Sequence, residues 1–160
     1  MLTRKIELLD ENRKRSVPVI SYLPNNIDKL ENPLKIVIFN PGYQSQAELA
    51  NPETVLGYKN YGYLAKYFTE KGYAFISVQH DILGDEDGLE YINSSLPQND
   101  AREHLYKRGK QNLHFVINSL KQKFPQLDFN NFILAGHSNG GDIAKYFANH
   151  HPELVSHLIL

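Results

Sequence analysis

A serine stands between two glycines in the segment Gly136-His137-Ser138-Asn139-Gly140. An apolar run, residues 131–136, precedes it, and a helical pattern begins near Asp142. A turn this tight between a strand and a helix strains the serine backbone and exposes its hydroxyl at a helix N-terminus. The spacing therefore predicts that Ser138 is a nucleophile. The alternative is a glycine-rich packing turn that contains an incidental serine.

A serine that attacks an acyl carbon needs N–H groups that stabilise the developing oxyanion. One expected donor is the backbone N–H of Asn139, the residue after the nucleophile. The second is expected after the first buried parallel strand, where the sequence reads Asn40-Pro41-Gly42-Tyr43. Gly42 permits close backbone approach, and the N–H of Tyr43 is the donor we expect. The alternative is an ordinary strand-exit turn, because Pro-Gly is a common turn pair.

Short apolar runs alternate with helical patterns along the chain. Two extended runs surround a polar turn at residues 10–15, and Pro18 favours an edge position for the second run. Four further apolar runs predict strands at residues 34–40, 73–81, 131–136 and 154–160.

Helical spacing appears in three segments, and these predict helices near residues 61–68, 113–124 and 142–150. Lys71-Gly72 is expected to cap the first of them, whereas residues 41–54 are predicted to be irregular. Alternation of strands and helices predicts an α/β fold with a mostly parallel sheet flanked by helices. We expect residues 1–160 to form a single domain.

The segments Gly136–Ala144 and Phe39–Tyr43 together resemble the α/β-hydrolase superfamily, in particular its serine esterases and lipases. Residues 13–24 are similar to the start of dienelactone-hydrolase-like and platelet-activating-factor-acetylhydrolase-like esterases. The resemblance covers nearly the whole chain. It implies that Ser138 is the nucleophile and that the amides of Asn139 and Tyr43 bind the oxyanion. It departs from the common pattern at Pro41, where many members carry histidine.

The acid and the histidine of the triad follow the seventh and eighth strands in this superfamily. The sequence ends on what resembles the sixth strand, so we expect an incomplete α/β-hydrolase domain, truncated after that strand. The two missing groups would then lie beyond Leu160 or on another chain. Among the seven histidines, only His80, followed by Asp81, ends a strand on the catalytic side.

Gly42, His80 and Asp81 are therefore candidates for residues that line the pocket. The alternative for His80 and Asp81 is a polar strand exit whose side chains bond to nearby backbone. His80 is also the one candidate for a substitute base. Its strand is expected two positions from the strand of Ser138, or about 10 Å away. That separation exceeds the hydrogen-bond reach of roughly 3 Å that a general base needs.

Composition excludes several classes of function. The formal net charge of -1 gives no electrostatic reason to expect nucleic acid or an anionic membrane as partner. The absence of cysteine excludes disulfides, thiol catalysis and zinc–thiolate sites. The N-terminal residues lack the apolar stretch of a signal peptide, so a cytoplasmic location is expected. A chain from which a signal peptide has been removed would look the same.

Asp85, Glu86 and Asp87 precede Gly88, which suggests a calcium-binding loop. The calcium pattern needs an acidic residue at its first position and glutamate at its twelfth. A count from Leu83 puts leucine at the first and Ser94 at the twelfth. We therefore predict a solvated acidic loop, and we expect no metal and no organic cofactor.

Two hypotheses follow. The first is a serine hydrolase that acts on small carboxylic esters or related acyl compounds, although the 160-residue chain by itself lacks a predicted acid and histidine. The second is a non-catalytic α/β module that binds an acyl ligand or pairs with another chain. The final strand, residues 154–160, is expected at an open sheet edge, and such an edge favours an oligomer or a partner chain.

Overall fold

The computed structural model describes residues 1–92 and 95–160. Ser94, the twelfth position of the calcium pattern, lies outside them. The described strands form one sheet in the order β1-β2-β4-β3-β5-β6. The strands are β1 Leu2–Asp10, β2 Arg15–Leu23, β3 Leu34–Asn40, β4 Ala74–Val78, β5 Leu127–Gly136 and β6 Val155–Ile159. The α-helices are α1 Gln46–Ala50, α2 Gly62–Glu70, α3 Gln98–Lys123 and α4 Asn139–His150.

The sheet is mixed, with four parallel strands that extend from β4 to the edge strand β6. Strands β1 and β2 form an antiparallel hairpin, and β2 also pairs antiparallel with β4. The pairs β3–β4, β3–β5 and β5–β6 are all parallel. The predicted α/β class with a mostly parallel sheet is therefore confirmed.

Alternate residues of the central strand pack against different helices. Ile36 and Ile38 of β3 belong to a core that includes the apolar faces of α3 and α4. Val37 and Phe39 belong to a second core on the other face, which includes Ala65 of α2. Because both faces are covered, β3 reads as a continuous apolar run, as expected for a buried parallel strand.

Two predictions about local structure are wrong. Pro18 lies in β2, which is an interior strand, and not at an edge. It is tolerated there because the register with β4 begins at Val19, and Pro18 needs only its carbonyl to accept from the Gln79 N–H at 2.9 Å. Residues 41–54 are not wholly irregular either, because Ser45 and Glu48 form a capping box that starts the short helix α1.

The helix after Ser138 begins earlier than its sequence pattern suggests. Helix α4 starts at Asn139 rather than near Asp142, because Gly140 and Gly141 are weak helix formers that conceal the first turn. The helix α2 does end as expected, with Lys71 as its C-cap and Gly72 at a φ of +82°.

The parallel pairing brings three strand exits to one edge of the sheet. β3 ends at Asn40, β4 ends at Val78 and β5 ends at Gly136, and each is followed by a loop on the same side. At the end of the sheet, β6 pairs only with β5 among the described residues, and Leu158 and Ile159 are exposed. None of the described helices has the length and apolar character needed to cross a membrane.

Candidate active site

Ser138 occupies a sharp turn between β5 and α4. Its φ and ψ angles are 55° and -128°, and the described non-glycine residues include only one other with positive φ, Lys14. The carbonyl of Ser138 accepts from the Gly141 N–H at 2.8 Å, and the side chain is exposed to solvent. The predicted strained backbone at a strand-to-helix turn is confirmed. Strain of this kind persists only where surrounding contacts enforce it.

Close backbone packing enforces that turn. A Cβ atom on Gly140 would overlap the carbonyl oxygens of Asn40 and Pro41, and the N–H of His137 donates to the Asn40 carbonyl at 3.0 Å. The turn thus sits directly against the exit of β3. Only glycine fits at position 140, because any side chain would collide with the neighbouring backbone.

Gly42 lies beside the serine. A Cβ atom at Gly42 would be 3.5 Å from the Cβ of Ser138 and 3.3 Å from Nδ1 of His137. The structure therefore brings together two of the residues that the sequence predicted for the site, Gly42 and Ser138, and Tyr43 follows Gly42 directly in the chain. Asn139, the residue after the serine, is buried at the start of α4.

The neighbours of Tyr43 and Asn139 leave their backbone N–H groups unused. Within the described residues, neither N–H donates to a protein acceptor. The phenol of Tyr43 is held by the carboxylate of Glu90, and burial, followed by that carboxylate, raises the pKa of the phenol. The Tyr43 side chain is thereby committed to the neighbouring loop, and its N–H remains the group that could serve a ligand.

His80 is buried below this surface, where both ring nitrogens have partners. Nε2 lies 2.8 Å from Oδ1 of Asn40, and Nδ1 lies 3.2 Å from Nδ2 of Asn112. Since an amide nitrogen only donates, Nδ1 must accept and Nε2 must carry the proton. Burial, followed by the charges of Arg108 and Arg15, lowers the pKa of His80 to about 3. His80 is thus a neutral structural histidine with no free nitrogen.

Asp81 is also buried and paired. Its Oδ1 accepts from Nη2 of Arg108 at 2.6 Å, and its Oδ2 accepts from the N–H of Gln44 at 3.1 Å. Burial raises the pKa of Asp81 to about 6 against the opposing effect of Arg108. Both His80 and Asp81 therefore lie beneath the candidate site rather than on its surface.

The prediction of a solvated acidic loop is wrong for its first residue. Asp85 is buried and pairs with Nη1 of Arg15 at 2.6 Å and with Nη1 of Arg108 at 3.2 Å. Burial raises the pKa of Asp85, but the Arg15 hydrogen bond and the neighbouring charges hold it below its usual value. Asp87 also binds Arg108, whereas Glu86 is exposed. Ion pairs from Asp85 and Asp87 to Arg15 and Arg108 therefore hold this loop against the rest of the protein.

The histidines do not supply a base to Ser138. All seven lie within the described residues, and none hydrogen-bonds to the Ser138 side chain. His137 bonds through Nδ1 to the hydroxyl of Tyr61 at 3.0 Å, and His104 bonds to the carbonyl of Asp87. The described residues also contain no cluster of three or more side chains that could hold a metal ion.

Sequence reasoning missed the residues that support the site from below. Asn40 donates through Nδ2 to the Ala135 carbonyl at 2.8 Å, and thereby joins β3 to β5. A polar residue at the end of an otherwise apolar strand was the available signal for Asn40. Arg108 and Asn112 lie one turn apart on α3. Their spacing predicts a helix, but it does not predict that they contact Asp81 and His80.

Comparisons with known proteins identify the fold. No family model matches the sequence, and no curated protein matches it. Among solved structures, a thermostable carboxyl esterase from Bacillus coagulans is similar, with a TM-score of 0.58 and 18% identity over 99% of this chain and 44% of the other. A cold-adapted esterase from an Arctic intertidal metagenomic library gives a TM-score of 0.63 at 11% identity, covering 98% and 59%. A dienelactone hydrolase from Anabaena variabilis gives 0.57 at 17%, covering 98% and 61%.

The chain has the α/β-hydrolase fold, since structures of esterases and other hydrolases match almost its entire length. At this level of identity the likeness concerns the fold. The chain spans between 44% and 61% of the length of these three proteins.

Proposed function

We propose that Ser138 is the nucleophile of a serine hydrolase that acts on carboxylic esters or related acyl compounds. The observation that carries the proposal is an exposed serine held at a φ of 55° where β5 turns into α4, with Gly42 beside it. This geometry supports the assignment of a nucleophile elbow at Ser138. The esterase fold of the structural neighbours adds support.

The reaction would proceed by acyl transfer. Oγ of Ser138 bonds to the acyl carbon, and the carbonyl oxygen becomes an oxyanion that receives hydrogen bonds from the N–H groups of Asn139 and Tyr43. The bond to the leaving alcohol then breaks, and the proton from Oγ passes through a base to that alcohol. Water hydrolyses the acyl-serine and releases the carboxylic acid.

We assign the proton transfer to a histidine and an acid outside residues 1–160. His80 is unsuited to it, because both of its nitrogens are engaged by Asn40 and Asn112. The remaining histidines make no hydrogen bond to Ser138 either. A serine hydroxyl without an adjacent base is a weak nucleophile near neutral pH.

Imidazole in solution can test the proposal, because the exposed Ser138 is open to a small base. The 160-residue chain is treated with a fluorophosphonate, with and without imidazole, and the modified residue is identified by peptide mapping. We expect imidazole-dependent labelling at Ser138 that disappears in Ser138→Ala. Ser156→Ala, which removes another exposed serine, should be labelled like the wild type. Absence of labelling at Ser138 under all conditions would contradict the proposal.

A second candidate is a non-catalytic module that pairs with another chain. It is favoured by the edge strand β6, where Leu158 and Ile159 are exposed, as is Leu160 directly after it. A groove of about 360 Å³ runs along the same strand and is also lined by Tyr73 and Ile133. An open apolar edge of this kind is a template for strand pairing, and a second copy can pair with it across a two-fold axis.

Sedimentation velocity tests this second candidate. The 160-residue chain should associate with rising concentration. Lysine at Leu158 or Ile159 should weaken the association, because a charged edge resists pairing. Val55→Lys, at an exposed position in a loop distant in sequence, is the control. A chain that stays monomeric at all concentrations would exclude self-pairing through β6.

A further inference from the structure

The loop that follows β3 is tied down at both ends. At its start, the side chain of Asn40 accepts from His80 and donates to the Ala135 carbonyl. At its end, the N–H of Gln44 donates to Oδ2 of Asp81 at 3.1 Å. Gly42 and Tyr43 lie between these two anchors. Their position therefore depends on both.

Both carboxylate oxygens of Asp81 already accept a hydrogen bond. One carboxylate oxygen takes the Gln44 N–H, and the other takes Nη2 of Arg108 at 2.6 Å. An asparagine of the same shape offers one oxygen and one NH₂ group, so it must lose one of these two bonds. The contact is also deeply buried, since Asp81 is 4% exposed and Arg108 is 9% exposed.

Arg108 in turn is fixed by more than Asp81. Its Nη1 contacts Asp85 at 3.2 Å and also binds Asp87. Asp85 is shared with Arg15 of β2, whose Nη2 donates to the carbonyl of His80 at 2.5 Å. The charged groups therefore join α3, β2 and the loop after β4 into one network. Removal of one member of such a network leaves an uncompensated buried charge, which is destabilising.

Movement of this loop would act on the serine directly. A Cβ atom built on Gly42 would lie 3.5 Å from the Cβ of Ser138. The residue after Gly42 is Tyr43, whose N–H is the proposed oxyanion donor. Oxyanion donors work only at hydrogen-bond distance from the developing charge. A displacement of about 1 Å in such a group can reduce the rate on the order of a hundredfold.

We infer that Asp81, held by Arg108, is a positioning residue that sets the distance between the Tyr43 N–H and Ser138. Both side chains are buried beneath the surface that carries Ser138. The inference rests on the proposed function for its effect on reactivity. Its structural part, that Asp81 orders residues 42–44, can be measured without any reaction.

Hydrogen exchange followed by NMR measures that structural part. In Asp81→Asn, we expect the Gln44 amide to exchange roughly ten times faster, because a hydrogen bond to a charged group is weakened or lost. Glu86→Gln, an exposed acid in the same loop, is the matched control and should leave exchange unchanged. Arg108→Lys keeps the charge but loses the planar fork, and provides a second, milder perturbation.

The imidazole-dependent fluorophosphonate labelling of Ser138 measures the effect on reactivity. We expect Asp81→Asn to slow labelling between about tenfold and a hundredfold, with Arg108→Lys intermediate and Glu86→Gln at the wild-type rate. Unchanged exchange at residues 42–44 in both Asp81→Asn and Arg108→Lys would overturn the inference. Faster exchange together with an unchanged labelling rate would also overturn it. If the wild type is never labelled at Ser138, the proposed function fails, and the exchange data still decide whether Asp81 orders the loop.

Discussion

Nε2 of His80 lies 2.8 Å from Oδ1 of Asn40, and this bond joins the exits of β3 and β4 beneath Ser138. Asn40 donates through its other side-chain atom to the Ala135 carbonyl, so its Oδ1 is the only acceptor it offers to His80. On the other side of the ring, Oδ1 of Asn112 accepts from Nη1 of Arg13 at 2.9 Å. These hydrogen bonds assign a donor and an acceptor at each contact of His80. They require that His80 is neutral, with its proton on Nε2.

The neutral His80 makes stability dependent on pH. Its pKa is lowered to about 3 by burial and by Arg108 and Arg15, while in the unfolded chain it is about 6.5. The contribution of neutral His80 to the free energy of unfolding is therefore fully present above about pH 6.5 and is lost as the pH falls towards 3. The expected loss is about 1.4 kcal/mol per pH unit in that window.

Urea unfolding at pH 7, 6 and 5 checks this prediction. His80→Gln removes the titrating group, so its stability should fall less steeply with pH than that of the wild type. His157→Gln, at an exposed position on β6, should retain the wild-type slope. Equal slopes for the wild type and His80→Gln would show that His80 does not resist protonation.

A pair of histidines joins the interior of α3 to the C-terminal end of α4. Nε2 of His114 lies 2.7 Å from Nε2 of His151, so one ring must donate and the other accept. Burial, followed by the charges of His151 and Lys110, lowers the pKa of His114. The lowered pKa means that the contact stabilises the protein above the unfolded value of about 6.5 and weakens on acidification.

A double-mutant cycle between His114→Gln and His151→Gln measures this contact. The coupling free energy should favour folding at pH 7.5 and decrease on acidification, because protonation of His114 weakens the contact. The pair His114 and His157 is the control, and its coupling should be near zero at every pH. A coupling that does not change with pH would contradict the prediction.

The sequence predicted the strands and the serine turn well, but it did not predict the network beneath them. The apolar run of β3 and the glycines around Ser138 are local signals, and each identifies a structure by itself. The partners of Asp81 come from α3 and from the loop after β3, so they depend on how the elements pack. For the same reason, the burial of Asp85 was not predicted. A short acidic run is typical of a solvated loop, and only the fold brings Arg15 and Arg108 into contact with Asp85.

Gly140→Ala should be strongly destabilising. The added methyl group would overlap the carbonyls of Asn40 and Pro41, which lie in backbone that cannot rotate away. We expect a loss of about 1–3 kcal/mol or more in the free energy of unfolding. Gly62→Ala is the control, since nothing lies within 4 Å of its Cβ position, and it should stabilise by about 0.4–1 kcal/mol. Equal effects in urea unfolding would refute the close packing at Gly140.

Ser138 should carry a cost in stability. A φ of 55° and a ψ of -128° are unfavourable for any residue with a Cβ atom, by about 1–3 kcal/mol. Ser138→Gly should therefore be more stable than Ser138→Ala by about 1 kcal/mol, although both lack the hydroxyl. Lys14→Gly relieves the other positive φ, 51° in the first hairpin, and measures the effect away from the site. If the alanine variant proves the more stable, the backbone at position 138 is not strained.

The 160-residue chain should hydrolyse p-nitrophenyl acetate negligibly in the absence of an added base. Ser138 has no histidine partner among the described residues, and loss of triad members in a well-studied serine protease lowers turnover by about a millionfold. What remains is whatever the oxyanion donors contribute by themselves, roughly 10³–10⁴-fold over water in that case. A polypeptide that supplies a histidine and an acid to Ser138, in the same chain or as a partner, should restore turnover, and Ser138→Ala should then abolish it. The assay compares the 160-residue chain without that polypeptide, the same chain with it, and the Ser138→Ala variant with it. Robust Ser138-dependent turnover by the short chain would mean that a base lies within it, and His80→Gln would be the first variant to identify that base.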